Sequence, residues 1–210
     1  MDYRVNEIFK SIEGEGKRTG LPSTFIRLAG CNLRCSYCDT AYALKANDGM
    51  PMTVDEIDEK VGELHSERLT ITGGEPMLQD VMTLARELRP YECNIETNGS
   101  IPLVEKSDNV FYTIDWKSIG SGHSNDMLER NLSVLDEDDV IKFVVQDEVD
   151  LEQMKEVLTI YDVKAQPYVS PVYGKIEPRK IVRYVLENGL DIHVQVQLHK
   201  IIWNPDKRGV

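Results

Sequence analysis

The stretch Leu69-Thr70-Ile71-Thr72-Gly73-Gly74-Glu75-Pro76-Met77-Leu78-Gln79-Asp80-Val81-Met82-Thr83-Leu84-Ala85-Arg86-Glu87-Leu88 reads as one βα unit. Its first residues form a short apolar run of the kind that suits a buried strand, and residues 78–88 carry a helical apolar period. Between them, Gly73 and Gly74 permit positive φ and a close backbone approach to a ligand. Pro76 suits a first helical turn and Glu75 favours the positive end of a helix. A plain strand-to-helix turn would use the same residues, so the segment alone assigns no function.

Outward from it the pattern repeats. Strand-like runs fall at 25–28, 94–96, 110–114, 140–145, 165–169 and 192–198. Helical patterns fall at 54–64, behind a Thr53/Glu56 capping box, and at 128–135, 149–160 and 179–186. Alternating strands and helices predict an α/β fold, a parallel sheet curled by right-handed crossovers into an open, partial βα barrel. No repeat, linker or low-complexity stretch divides residues 1–210, so one domain is expected. Ligands of such sheets gather at the carboxyl ends of strands, where Gly73-Gly74-Glu75-Pro76, Glu96-Thr97-Asn98-Gly99 and Asp115-Trp116-Lys117 fall. Residues 118–125, rich in Ser and Gly, read as a mobile loop.

Period two also sorts side chains by face. Arg27 lies opposite Ile26 and Leu28, on the expected ligand side, although a lone strand arginine is more often an exposed edge residue. In the last run Ile192, Val194, Val196 and Leu198 share one face, and His193, Gln195, Gln197 and His199 the other.

The formal charge of -12 argues against nucleic-acid binding, which depends on clustered cations, and favours a small-molecule partner. The charged amino-terminal residues do not resemble a signal peptide. No apolar run approaches the roughly 18 residues of a membrane span. A cytoplasmic protein without a membrane partner is the expectation, and in that reducing setting cysteines serve metals or catalysis.

Of four cysteines, three stand in Gly30-Cys31-Asn32-Leu33-Arg34-Cys35-Ser36-Tyr37-Cys38-Asp39-Thr40, a C-x3-C-x2-C loop directly after a strand-like run. Three thiolates on a cubane leave its fourth iron open to an exogenous chelate, and the amino and carboxylate groups of S-adenosylmethionine (SAM) can supply one. Cys31, Cys35 and Cys38 are therefore candidate ligands of a 4Fe-4S cluster. A structural zinc site would need a fourth ligand. Cys93 sits in an apolar run and reads as a buried small hydrophobe, and neither His65 nor His123 has a spaced partner.

With the Gly-Gly-Glu segment one βα unit later, the chain resembles the radical SAM superfamily, whose cluster motif is C-x3-C-x-aromatic-C, with Tyr37 as the aromatic. The resemblance implies that Tyr37, Cys38 and Asp39 border the adenine of SAM and Gly74 and Glu75 its methionine end. Asp115, Trp116, Lys117, Tyr168, Val169, Ser170 and Pro171 would lie by its ribose and carboxylate.

The lead-in Phe9-Lys10-Ser11-Ile12-Glu13-Gly14-Glu15-Gly16, Asp39-Thr40 after the cluster and the tail from Gln197 to Val210 narrow the likeness, across essentially the whole chain, to the 7-carboxy-7-deazaguanine synthase family. That family is similar in using SAM and Mg2+ to rearrange 6-carboxy-5,6,7,8-tetrahydropterin into 7-carboxy-7-deazaguanine with loss of ammonia, in queuosine and other deazapurine biosynthesis. The resemblance places Thr40 on magnesium and Ile12, Glu13, Gly14, Glu15, Arg27, Thr72 and His199 on the pterin, with the tail 199–210 capping it through the Val210 carboxylate. No side chain takes a catalytic role, because a 5'-deoxyadenosyl group derived from SAM carries the radical. A homodimer and an electron donor such as flavodoxin are implied as well. Glu13 stands where many members carry Gln, and the 115–117 segment follows the family pattern only loosely.

The sequence leaves two rival readings. One is a glycyl-radical-enzyme-type activating enzyme, a radical SAM protein acting on a protein substrate, whose lead-in usually reads Asp-Gly-Pro-Gly. The other is a non-catalytic metal-binding module.

Overall fold

Pleating sends successive side chains of a strand to opposite faces, and that simple rule sorts the whole chain in a computed structural model whose described residues are 2–210. The strands are β1 (Tyr3–Ile12), β2 (Pro22–Leu28), β3 (Met50–Met52), β4 (Arg68–Gly73), β5 (Glu92–Thr97), β6 (Val110–Trp116), β7 (Val140–Val145), β8 (Gln166–Pro171) and β9 (His193–Val194). They form one sheet in the order β3-β1-β2-β4-β5-β6-β7-β8-β9. From β2 onward through β9 the pairings are parallel, while β1 lies antiparallel between β2 and β3. The edge strands β3 and β9 do not pair with each other, so the sheet is the open βα arrangement expected.

Helices α1 (Val54–Glu63), α2 (Val81–Glu87), α3 (Glu148–Ile160), α4 (Pro178–Glu187) and α5 (Leu198–Ile202) complete the chain. One face of the sheet, with Ile26, Leu28, Leu69, Ile71, Cys93, Ile95, Tyr112, Ile114, Trp116, Ile141, Phe143 and Val169, is buried in one apolar core with Ile57, Val61, Leu84, Leu151, Met154 and Ile181 of the helices. The alternate residues lie on the other, concave face, where Arg27, Thr72, Glu96, Thr113, Asp115 and Lys142 line a cavity. Cys93 is a fully buried member of the core, as its apolar setting predicts.

Several local expectations were met by different structure. Strand β1 is absent from the period-two reading because its register shifts between Val5 and Glu7, which breaks the alternation. Helix α2 starts at Val81 rather than at 78, because Asp80 caps it by accepting from the Thr83 N–H at 3.3 Å; a 3-10 turn, Pro76–Leu78, comes first. The helix expected over 128–135 is a short 3-10 segment, Glu129–Ser133. Buried Asn131 holds it there, donating to the Gly99 and Ile101 carbonyls and accepting from the Leu103 N–H.

The mobile loop expected over 118–125 is two 3-10 turns, Ile119–Ser121 and Ser124–Asp126, with Ser118 and Ser121 buried. The strand expected over 192–198 ends at Val194. The Gln195 N–H still reaches the Val169 carbonyl, but that of Leu198 turns to the Gly14 carbonyl at 3.1 Å and opens α5. His199 therefore sits on a helix and not on a strand face.

The capping box read at Thr53 and Glu56 is formed, the Thr53 hydroxyl accepting from the Glu56 N–H and the Glu56 carboxylate from the Thr53 N–H. Thr53→Ala should lower stability by about 1 kcal/mol, measured by urea unfolding; a cost near zero would mean that α1 does not depend on its cap.

Candidate active site

The carboxyl ends of the parallel strands open into a cavity of about 1060 Å3. Arg27 of β2, Thr72 of β4, Glu96 of β5, Asp115 at the end of β6 and Lys142 of β7 all line it. Its roof is the loop after β2, with Cys31, Cys35, Tyr37, Cys38, Asp39 and Thr40.

That loop is locked to the next βα turn. Because Leu28 and Gly73 are register partners, the two strands end side by side. The Gly74 N–H donates to the Leu28 carbonyl at 3.0 Å and the Glu75 N–H to that of Gly30 at 2.7 Å. Neither glycine has room for a side chain: a Cβ on Gly73 would overlap Leu28, and one on Gly74 would overlap the Gly30 carbonyl and come within 2.8 Å of the Cys31 Cβ. Gly73 also adopts φ of 153°.

The three loop cysteines are free thiols that line the cavity. Burial pushes the Cys31 and Cys35 thiols up, and Lys117 opposes the effect at Cys35. The Cys31 sulfur also accepts from the Leu33 N–H at 3.4 Å, an amide of the kind that tunes cluster sulfurs. Among the described residues no group of three or more His, Cys, Asp or Glu side chains could hold a single metal ion. A tetrahedral zinc site, with Zn–S bonds of about 2.3 Å, would need its sulfurs converging on one point. Three thiols from one short loop, with no fourth ligand among the described residues, suit a cubane whose separate irons each take one sulfur.

Below the cysteines lies a network of buried charge. Lys142 Nζ stands 3.2 Å from Glu15 Oε2 and 3.8 Å from Asp115 Oδ2, and Lys117 Nζ 3.0 Å from the same Asp115 oxygen. Burial works against the Lys142 ammonium, but Glu15, Asp115 and Glu96 outweigh it and hold its pKa well above the usual lysine range. Lys117 is raised in the same way, chiefly by Asp115 acting against burial. The other Asp115 oxygen, Oδ1, is buried with no partner. An orphaned acceptor beside Cys35 and Tyr37 fits the hydroxyl and ammonium donors of SAM.

Glu13 is buried on the cavity floor, accepting from the Thr70 hydroxyl. Burial, with the nearby Glu96 carboxylate, pushes its pKa up to about 7. Burial raises Glu96 as well, which accepts from the Thr72 hydroxyl at 3.3 Å. The opposite wall is the tail: His199 packs its ring over Gly14, Lys200 Nζ pairs with Asp39 Oδ2 at 3.1 Å, and the Arg208 guanidinium lies 3.7 Å from the Tyr42 ring centroid. Desolvation lowers the pKa of His199. Val210 lines the cavity too.

The Radical SAM superfamily, as a family model, matches residues 25–120. A 7-carboxy-7-deazaguanine synthase of Clostridium acetobutylicum is 42% identical to this chain, with 100% of each covered. The chain belongs to the 7-carboxy-7-deazaguanine synthase family. Other members so named, from Methanospirillum hungatei and Chlorobaculum tepidum, are 39% and 36% identical, covering 96% and 98% of this chain and 86% and 96% of their own. The crystal structure of QueE from Escherichia coli shares the fold, with a TM-score of 0.79 at 24% identity over 95% of each chain. Neither the activating-enzyme reading nor a passive metal module is favoured by these relatives.

In this member of the 7-carboxy-7-deazaguanine synthase family, most residues singled out by resemblance meet at the cavity: Ile12, Glu13, Gly14, Glu15, Arg27, Tyr37, Cys38, Asp39, Thr40, Thr72, Gly74, Asp115, Lys117, His199 and Val210. Others stand behind its wall. Glu75 is fully buried, its carboxylate occupied by the Met77 and Asn98 N–H groups and the Thr97 hydroxyl. Trp116 shares the core face with Ile114, as period two requires. Tyr168 stacks on His193, Val169 is core, Pro171 is buried, and the Ser170 hydroxyl donates to Glu15 Oε1 at 2.6 Å.

Arg27 reaches the cavity already paired, its Nε 2.7 Å from Glu7 Oε1, which also accepts from the Tyr42 hydroxyl. Lys142, Glu7, Tyr42 and Lys200 were not singled out from the sequence. Lys142 left a clear signal, a lone charge inside Val140-Ile141-Lys142-Phe143-Val144-Val145. The other three had none, since their partners are distant in sequence.

The Glu13 shift has a testable sign. Folded Glu13 holds its proton up to about pH 7, so this contribution to stability is complete below the unfolded carboxyl pKa, roughly 4.5, and is lost as pH rises through 7. Glu13→Gln, which keeps a neutral side chain, should therefore gain on the wild type between pH 5 and pH 8. Thermal midpoints of the metal-free protein at both pH values test this, and an unchanged difference would refute it.

Proposed function

We propose that this chain is a radical SAM lyase that converts 6-carboxy-5,6,7,8-tetrahydropterin into 7-carboxy-7-deazaguanine with loss of ammonia, on a deazapurine route such as that to queuosine. The observation that carries the proposal is a three-cysteine loop opening onto the same cavity as the polar strand ends, in a chain whose relatives so named match it end to end. When bound, the cluster and SAM supply the one-electron chemistry that removes and returns a hydrogen atom.

The chain's own residues would do the rest. Cys31, Cys35 and Cys38 bind three irons and leave the fourth for SAM. Tyr37, Asp115 and Lys117 border SAM, with the free oxygen of Asp115 as acceptor. Glu13, Glu15 and Glu96 offer acceptors to the N–H edge of the pterin, and Arg27, shared with Glu7, faces its carboxylate. Thr40 donates to Asp39 at 2.9 Å, which leaves its hydroxyl lone pairs for Mg2+; such an ion keeps waters and borrows substrate oxygens. Thr72, His199 and the tail to Val210 enclose the substrate and exclude water. A cytosolic homodimer reduced by a flavodoxin-like donor completes the proposal; among the described residues no helix is long and apolar enough to cross a membrane.

Anaerobic incubation with SAM, dithionite, Mg2+ and 6-carboxytetrahydropterin should yield a carboxydeazaguanine mass without net SAM loss. Cys35→Ala should abolish product while leaving the fold intact by circular dichroism. Stoichiometric deoxyadenosine from the true substrate, or no product from reconstituted protein, would overturn the assignment. A second expected outcome concerns Arg27→Met, which removes the cation facing the substrate carboxylate. It should raise KM at least tenfold, in keeping with about 1.5–3 kcal/mol for a charge-assisted hydrogen bond. An unchanged KM would exclude Arg27 as the carboxylate partner.

A further inference from the structure

Residues 118–126, between β6 and β7, have no part in the roles assigned above, yet they are tied to the cysteine loop at three points. The Ser36 N–H donates to the Ser121 carbonyl at 3.0 Å, the Ser36 hydroxyl to the Gly120 carbonyl at 2.7 Å, and the Arg34 N–H to His123 Nε2 at 2.9 Å. A backbone N–H can only donate, so Nε2 must accept. The ring proton of His123 then sits on Nδ1, which lies 2.7 Å from Asp126 Oδ2 and donates to it. A carboxylate thus fixes the tautomer of a ring that in turn fixes a backbone amide lying between Cys31 and Cys35.

The other side of the segment is anchored on α3. Buried Asp150 accepts from the Gly120 N–H at 2.8 Å and from the Gln146 N–H at 3.0 Å, and Gln153 accepts from the Ile119 N–H at 2.7 Å. Contact here is close enough that a side chain at 120 would push these groups aside: a Cβ on Gly120 would stand 2.5 Å from Gln146 Nε2 and 2.6 Å from Asp150 Oδ2. A continuous set of hydrogen bonds therefore runs from α3 through residues 119–123 to the cysteine loop.

We infer that residues 119–126 form a clamp that fixes the backbone of the cysteine loop against α3, with His123, oriented by Asp126, as its positioning residue. The consequence is specific to the cluster. The loop bearing the thiols lies on the surface, with Asn32, Arg34 and Ser36 exposed. The Arg34 and Ser36 amides have their partners in this segment, and amides near cluster sulfurs set both retention and potential. The inference rests on the radical SAM reading of the three cysteines, but its first test does not.

In metal-free protein, amide hydrogen exchange at Arg34 should rise about five- to tenfold in His123→Ala, the worth of one hydrogen bond of this kind, while amides of β4 and β5 stay at wild-type rates. His123→Gln, whose side-chain oxygen can accept from the same amide, should restore protection. In reconstituted protein His123→Ala should lose iron to a chelator severalfold faster and shift the SAM-bound reduced cluster's spin resonance, both reversed by Gln. Gly120→Ala, which displaces Asp150 without touching His123, should give the same pattern. Unchanged exchange at Arg34 in His123→Ala would overturn the clamp, as would a rise shared equally by the core strands, which would mark general destabilisation. If the wild type takes up no iron, the proposed activity fails, and the exchange data still decide the clamp.

Discussion

Backbone contact between two neighbouring strand ends sets the geometry of this protein. Leu28 and Gly73 are in register, and the chain beyond each must turn within the same few ångströms. With side chains at 73 and 74 the two turns would collide; with glycines, the Gly74 and Glu75 amides bond directly to the Leu28 and Gly30 carbonyls. The cysteine loop leaves that contact at Cys31, so its first thiol is fixed to the sheet rather than to flexible chain. The Glu75 carboxylate reinforces the turn from below through Met77, Thr97 and Asn98. In this structure the Gly-Gly-Glu segment is first a device for joining β2, β4 and β5 at their ends.

The concave face then faces a cost. Acids and lysines drawn out of water destabilise a fold unless they neutralise one another or bond to fixed groups. Lys142 and Lys117 are balanced among Glu15, Asp115 and Glu96, but the balance is uneven, since Glu13 adds a further carboxyl that Arg18 offsets only in part. Burial, with the Glu96 carboxylate beside it, raises the pKa of Glu13, and one oxygen of Asp115 is left without a partner. A cavity with acceptors in excess is completed by a ligand rich in N–H and O–H donors. That agrees with the N–H edge of a pterin and the hydroxyls of a ribose.

What could be read in the sequence divides along the range of the interactions. Strands β4 to β8, helices α1, α3 and α4 and the cysteine loop follow from local period, capping and spacing, and they fell within a few residues of where they were expected. Period two also separated Asp115 from Trp116, although the resemblance grouped them. Strand β1 escaped because a register shift destroys its alternation. The Arg27–Glu7 and Lys200–Asp39 pairs escaped because nothing local links residues so far apart.

The two segments that departed most from their local pattern, 118–125 and 192–198, share a cause. Each has a sequence that would suit a loop or a strand, and each makes backbone hydrogen bonds with groups outside itself: Asp150, Gln153 and Ser36 for the first, Gly14 and Val169 for the second. Local propensity is a weak constraint on backbone whose partners are already fixed by the sheet. Both segments lie at the carboxyl ends of strands, where β6 to β9 run out of neighbours with which to continue pairing. There the chain satisfies its amides by docking onto the loops that form the cavity, so the departures from pattern collect around the site.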